Sequence, residues 1–400
     1  MAERSIGIAL LGCGVVGGGV VKILRQQREL LQRRTGLRFD IRHVVVRDPA
    51  KAREDLKHLP FSTDASAAIA DPDVDVVLEL IGGGGAAREG IEAALRAGKP
   101  VVTANKSLLA AHGAELFALA RQHDTCIAFE ASCGGGVPII DAIMKGLIAN
   151  RIDAMVGIVN GTCNVILTRM TRNRWSYEQA LAEAQKLGFA EADPTLDVSG
   201  RDAAQKLALL AIASRNGGNR LSLRVHPTLV HKDDVLAEVS GSFNAISVYG
   251  HALGHALFYG RGAGQMPTAS AVVADLVGVA LGTIPANFRQ LNIFPDATPP
   301  ADVLPFEQLE SRYYLRLVAR DVPGVLADVT RILGREKISL SAILQRETDA
   351  GQHVPVVITT HLAYEGAMRA ALADIDALPN IAPPSVCLRI IDQPQEFAAE

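Results

Sequence analysis

The stretch "IALLGCGVVGGGVV", residues 8–21, constrains the chain more than any other. An uncharged apolar run leads into Gly12, Gly14 and Gly17, spaced Gly-x-Gly-x-x-Gly, and helical spacing follows. At the junction of a strand and a helix each glycine has its own task. The first allows the tight turn, the second lets backbone approach a pyrophosphate, and the third lets strand and helix pack closely. The helix N-terminus then favours the anion. Gly12, Cys13, Gly14, Val15, Val16 and Gly17 are the expected cradle. The alternatives are a glycine-rich packing turn or a secretion signal. Glycines crowd the apolar run and it passes straight into the helical "VVKILRQQRELL", which argues against the signal.

Strand-like and helical runs then alternate. "FDIRHVVVRD", "DVDVVLELIG", "PVVTANK" and "TCIAFEAS" read as strands, with helical stretches such as "AAREGIEAALRAG" and "SLLAAHGAELFALARQH" between them. Residues 1–135 therefore read as an α/β, Rossmann-type doubly wound parallel sheet. Ligands of such sheets bind beyond the carboxyl ends of the strands. Arg47 follows the second strand, ahead of Asp48, with Lys51 and Arg53 beyond. Arginine there suits the 2′-phosphate of NADP, whereas an acidic residue suits NAD. NADP is the expected cofactor and NAD the alternative. Gly82, after the third strand, is counted with the cofactor contacts. Lys106, just past the fourth strand, either meets cofactor and substrate or is an exposed helix-start lysine.

The next region changes character. "VPIIDAIMKGLIAN" reads as a helix, "IDAMVGIVNG" as a strand, and "SYEQALAEAQKLG" as a helix capped by Ser176 and stopped at Gly188. "FNAISVYG" and "HALFYG" read as paired strands. Residues 136–284 are expected to form an α+β domain for substrate binding and dimerisation, with helix 267–282 completing the first domain. Five prolines, from Pro285 to Pro305, mark a linker over 285–311. Residues 312–392 then read βαββαβ.

Composition narrows the function classes. Hydrophobic residues make up 48% and charged residues 21%, so the chain folds, and at a net charge of -3 with no basic run it is not expected to bind nucleic acid. No uncharged apolar stretch is long enough for a membrane span. Cys13, Cys126, Cys133, Cys163 and Cys387 are scattered and form no CxxC, which suits reduced thiols in the cytoplasm. Asn160-Gly161-Thr162 fits a glycosylation sequon, which a cytoplasmic chain does not use.

"KLGFAEADPTLDVSGRDAAQKLALL" gathers Glu191, Asp193, Asp197, Asp202 and Lys206 around a turn and a helix. Asp202 and Lys206 are four apart and share a helix face. A surface ion pair there would contribute only a few tenths of a kcal/mol. The apolar flank "AAQKLALLAIA" allows the other reading, a partly buried site. In it the carboxylates hold a substrate ammonium and Lys206 moves a proton. In "EASCGGGVPII", Glu130 with loop carbonyls suits a hard cation. The alternative, Cys133 as nucleophile, lacks an evident histidine partner nearby. "YGRGAGQMPTASAVV" is a second glycine loop opening a helix, either closing over the cofactor or reversing the chain.

Taken together, "GCGVVGGGV", "TANKSLLA", "GIVNGTCNVILT", "LGFAEADPTLDVSGRDAAQKLALLA" and "GAGQMPTASAVVADL" closely resemble the homoserine dehydrogenase family, in order, over residues 5–282. "RDVPGVLADVTRIL" resembles an ACT regulatory domain. With no aspartate kinase region ahead of it, the expected form is the monofunctional one. The resemblance implies NAD(P)-dependent interconversion of L-homoserine and L-aspartate 4-semialdehyde, on the route to threonine and methionine. It implies that Lys206, with Lys106, is catalytic and that Gly188, Glu191, Asp197 and Asp202 bind substrate. It further implies that Gly264 meets the cofactor. Glu130, with the carbonyls of Cys133, Gly135 and Val137, would hold a structural sodium ion. Feedback by L-threonine at the ACT domain and a homodimer or homotetramer are expected. The chain departs from the family at Cys133-Gly134, where a Val-Ala pair is usual, and at Arg261, often proline. Two rival functions are a cysteine-dependent aspartate-semialdehyde dehydrogenase and a non-catalytic, nicotinamide-sensing ACT regulator.

Overall fold

The computed structural model describes residues 4–51, 56–190, 192–213, 220–298, 301–345 and 353–391. They fall into two compact units, one built from 4–213 with 239–298, the other from 220–238 with 301–391.

The first unit begins with β1 (Arg4–Leu11), buried from Ile6 onward because both faces are apolar. It pairs in parallel with β2 (Leu37–Val45) on one side and β4 (Val76–Glu79) on the other. With β3 (Phe61–Ser62), β5 (Val101–Thr103) and β6 (Ile127–Ala128) the order is 3-2-1-4-5-6, every pair parallel. This is the doubly wound sheet expected. The order reverses between β1 and β4, which opens a crevice at their carboxyl ends. Ile91, Leu95, Leu116 and Phe117 from covering helices are buried against the sheet, each side chain worth roughly 1.5–3 kcal/mol. The run of helical spacing after the glycines forms two helices: α1 (Val15–Gln26) stops, and a second, Arg28–Thr35, ends at Gly36 with φ 72°.

A three-stranded antiparallel sheet follows, with Phe243–Gly250 between Gly254–Arg261 and Ile152–Ile158. The helix Gln265–Ala280 returns to the cofactor sheet. A Cβ at Gly19 of α1 would lie 2.9 Å from the Ala269 methyl, so glycine sets how closely these helices meet. Gln265 Nε2 donates to the Val15 carbonyl at 2.9 Å. The stretch expected as linker from 285 opens inside this unit. Thr283–Gln290 is helical, and Phe288 and Phe294 are buried with ring centroids 6.1 and 5.4 Å from Phe117. Prolines suggested a linker, but two large aromatic rings needed burial.

The second unit is the βαββαβ fold: strand Glu310–Arg320, helix Val325–Arg335, strands Leu340–Gln345 and His353–Thr360, helix Glu365–Asp376 and strand Val386–Ile390. Alternate residues of Glu310–Arg320, among them Tyr313, Leu315 and Leu317, fill its core. Thr228–Leu229 adds a parallel strand beside Val386–Ile390, and Arg224 donates to the Glu310 carbonyl at 2.7 Å. Residues 220–238 thus belong to this unit, whereas the sequence put them within 136–284. A two-residue strand has no periodicity to read. No single helix among the described residues is long and apolar enough to cross a membrane.

Candidate active site

The cofactor cradle follows from where a side chain would not fit. Gly12 has φ 93°, and a Cβ on it would lie 2.7 Å from Leu80 backbone. A Cβ on Gly17 would lie 2.5 Å from the Gly12 carbonyl oxygen. Gly14 caps α1 with no side-chain bond, and a Cβ there meets nothing within 4 Å. Two glycines are therefore needed by the protein's own packing, and the third faces open space at a helix N-terminus. That is the room a pyrophosphate requires, so these residues fit a dinucleotide. Cys13 and Val16 are half-buried in this turn and Val15 is exposed. Arg47 is exposed two residues beyond β2, while Arg53 lies outside the described residues.

Across the crevice, Glu79 ends β4 fully buried. Its carboxylate accepts from Ile81 N at 2.8 Å, Gly82 N at 3.0 Å and Thr103 Oγ1 at 2.7 Å. It thereby ties the glycine turn, with Gly82 at φ 76° and Gly83 at φ 73°, to β5. Asn105 donates to the Gly83 carbonyl at 2.8 Å and caps the helix Lys106–Gln122. Lys106 is thus presented at the carboxyl end of β5. Sequence reasoning missed Glu79, an acid within an apolar strand, which was itself the signal.

Lys106 Nζ lies 3.3 Å from Asp202 Oδ1. Lys206 Nζ donates to Asp202 Oδ2 at 2.8 Å and to the Val159 carbonyl at 2.6 Å. Asp202 and Lys206 stand one turn apart on the helix Arg201–Ala213, 6% and 8% exposed, which decides for a buried pair over a surface one. Burial pushes the Asp202 carboxyl up, but the Lys206 ammonium, the Asn160 amide and Lys106 outweigh it and hold it below the ordinary carboxylate range. With two of its three N–H groups engaged, the Lys206 ammonium keeps one for a ligand.

Asn160, noted in the sequence only as a sequon, is 8% exposed. Its Nδ2 donates to Asp197 Oδ1 at 2.8 Å and Asp202 Oδ2 at 2.7 Å, and its Oδ1 caps the helix Gly161–Asn173 through Cys163 N at 2.8 Å. Asp197, on the short helix Thr195–Val198, is drawn to the pair in this way. Gly188, at φ 74°, ends the helix Tyr177–Lys186, and Thr162 Oγ1 donates to the adjacent Phe189 carbonyl at 2.7 Å. Glu191 lies outside the described residues.

Behind this cluster runs the Glu130 loop. Both Glu130 carboxylate oxygens accept backbone N–H groups, from Ile140 at 3.1 Å and Asp141 at 2.7 Å. Burial pushes its carboxyl up to about 7. Gly134 and Gly135 have φ 79° and 57°, and a Cβ on Gly135 would lie 2.6 Å from the Gly262 carbonyl. At the departure itself Gly134 takes a positive φ that suits glycine, and the neighbouring Gly135 leaves no room for a side chain. The loop's buried carboxylate, with the backbone carbonyls of Cys133, Gly135 and Val137, is a donor set that suits a hard cation. Cys133 is fully buried, Sγ donating to the Lys206 carbonyl at 3.8 Å, and burial pushes its thiol to about 12. Burial likewise pushes Cys163 to about 11. Such thiols are not the activated nucleophile that thioester chemistry needs. Gly264, at φ 128°, opens the helix Gln265–Ala280, and the Arg261 guanidinium lies 5.3 Å over the Phe243 ring.

Comparison with known proteins identifies the family. The profile described as homoserine dehydrogenase, NAD binding domain, matches residues 12–130. The homoserine dehydrogenase profile matches 138–216 and 211–277, and an ACT domain profile matches 313–380. The homoserine dehydrogenase of Pseudomonas aeruginosa is 40% identical, covering 97% of this chain and 99% of its own. The chain belongs to the homoserine dehydrogenase family. The Bacillus subtilis homoserine dehydrogenase is 38% identical over 94% of this chain and 96% of its own. A crystal structure of the enzyme from Thiobacillus denitrificans superposes with a TM-score of 0.90 at 40% identity, covering 98% of this chain and 99% of that one. The chain is accordingly a homoserine dehydrogenase-type oxidoreductase with a nicotinamide-binding domain and an ACT domain, which removes the rival aspartate-semialdehyde dehydrogenase and the non-catalytic sensor.

Proposed function

We propose that the chain interconverts L-homoserine and L-aspartate 4-semialdehyde through the Asp202 cluster. The observation that carries this is one buried carboxylate held between two lysine ammonium groups, Lys206 at 2.8 Å and Lys106 at 3.3 Å. When bound, the nicotinamide supplies or accepts the hydride. Lys206 gives its proton to the substrate oxygen as the aldehyde is reduced and takes it back in the other direction, with Lys106 beside it. Asp202, Asp197 and Glu191 bind the substrate ammonium, and Gly188 shapes the loop around it.

Gly12, Cys13, Gly14, Val15, Val16 and Gly17 cradle the pyrophosphate, with Gly82 and Gly264 closing on the nicotinamide side. Arg47 favours NADP over NAD, its exposed guanidinium being suited to a 2′-phosphate. Glu130 and the carbonyls of Cys133, Gly135 and Val137 hold a sodium ion whose role is structural. L-Threonine acts at the ACT domain, where Asp321, Gln345 and the N-terminus of the helix Val325–Arg335 line a cavity, a setting that suits an amino acid's charged ends. A cofactor domain over 1–135, a substrate domain over 136–284 without 220–238, an ACT domain over 312–392, a homodimer or homotetramer, and a cytoplasmic location belong to the same proposal. Initial rates with L-homoserine and each cofactor test it: a preference for NADP that Arg47→Ala abolishes supports the cofactor assignment. An unchanged preference contradicts it.

A further inference from the structure

We propose that Asn160 is a positioning residue for the reaction: its side-chain amide fixes the two substrate-facing carboxylates, Asp197 and Asp202, in one arrangement. The inference rests on the reading of Asp202 and Lys206 given above. A single nitrogen, Asn160 Nδ2, spends both its hydrogens on these carboxylates, at 2.8 Å to Asp197 Oδ1 and 2.7 Å to Asp202 Oδ2. The residues are 37 and 42 positions away in sequence. Two neighbouring carboxylates repel, and each seeks a proton unless donors hold it charged. Lys206 supplies one donor to Asp202 Oδ2, yet no lysine lies within ion-pair distance of Asp197 among the described residues. Cys163 Sγ reaches the Asp197 backbone carbonyl at 3.3 Å and not its carboxylate. The Asn160 amide is therefore what ties Asp197 to the buried lysine pair.

Asn160 cannot swing to do this. Its Oδ1 accepts Cys163 N at 2.8 Å as the N-cap of Gly161–Asn173, and its neighbour Val159 receives Lys206 through its carbonyl at 2.6 Å. One dipeptide thus holds the ammonium of Lys206 with one atom and both carboxylates with another. The groups that face the amide are Asp197, Asp202 and Lys206, with Lys106 on the far oxygen of Asp202 and the Cys163 thiol beside Asp197.

The replacement Asn160→Asp separates the two tasks. Aspartate caps a helix as well as asparagine does, so the helix start is kept. It loses both amide donors and adds a third carboxylate. At neutral pH kcat/KM for L-homoserine should fall roughly ten- to a hundredfold, mainly through KM, because hydrogen bonds to charged groups are lost. Below neutrality the new carboxyl takes up a proton, regains one donor, and the deficit relative to wild type should shrink. If Asn160 only caps the helix, Asn160→Ser, which caps without adding charge, matches wild-type kcat/KM at every pH while Asn160→Ala loses stability, and the proposal is overturned. A parallel Asp202→Asn measurement guards the underlying reading. If Asp202→Asn keeps wild-type kcat/KM, the site assignment fails. If Asp202→Asn loses activity and Asn160→Asp does not, only the role of Asn160 fails.

Discussion

Lys206 and Asp202 form a 2.8 Å ion pair one helical turn apart, with side chains only 10% and 8% exposed. A pair this buried is costly unless every remaining polar atom is engaged. Here the engagement extends to Lys106, Asn160 and the Val159 carbonyl.

The pair sets a pH dependence. The folded-state pKa of Asp202 is depressed, so its contribution to stability is fully present above its unfolded value of about 3.9 and is lost as pH falls through the lower folded value. Asp202 therefore stays a carboxylate between pH 7 and 5. Direct binding of L-homoserine should not weaken over that interval through this group, as calorimetric titration would register. A steep loss of affinity between pH 7 and 5 that Asp202→Asn abolishes would contradict it.

The glycine cradle makes two opposite predictions. Gly14→Ala meets no atom within 4 Å, so melting should stay close to wild type while KM for the cofactor rises about tenfold or more, its methyl standing where the pyrophosphate approaches. Gly17→Ala drives a methyl to 2.5 Å from the Gly12 carbonyl and should lower stability by about 1–3 kcal/mol. Thermal unfolding alongside cofactor titration separates the two effects.

Glu79 holds the turn after β4 through hydrogen bonds. Glu79→Ala strands three donors, Ile81 N, Gly82 N and Thr103 Oγ1. Denaturant unfolding should show a loss of about 2–4 kcal/mol, while Glu79→Gln, which keeps an acceptor oxygen, should lose less. Equal losses in both variants would mean that charge and not hydrogen bonding holds the turn.

Much of this was legible in the sequence, for physical reasons. Gly12 and Gly17 mark the first strand and helix because backbone sterics leave few substitutes for glycine there, and Gly14 completes the spacing at a point that must stay open. The i, i+4 spacing of Asp202 and Lys206 implies a shared helix face, while their burial depends on the surrounding fold, which leaves them 6% and 8% exposed. Asn160 was not legible as a site residue, since its partners are distant in sequence and its triplet mimics a sequon. Thr228–Leu229 was too short to show an alternating pattern, so its pairing with Val386–Ile390 could come only from the folded sheet. Phe288 and Phe294 were hidden behind the prolines around them.

The most direct measurement is absorbance at 340 nm for wild type and Lys206→Ala with L-homoserine and NADP or NAD, with cofactor affinity measured on both proteins. Turnover is expected in wild type, with a fall in kcat of about a hundredfold or more in Lys206→Ala and cofactor binding retained. Wild-type kcat in a folded Lys206→Ala protein would contradict the assignment of the proton to this lysine.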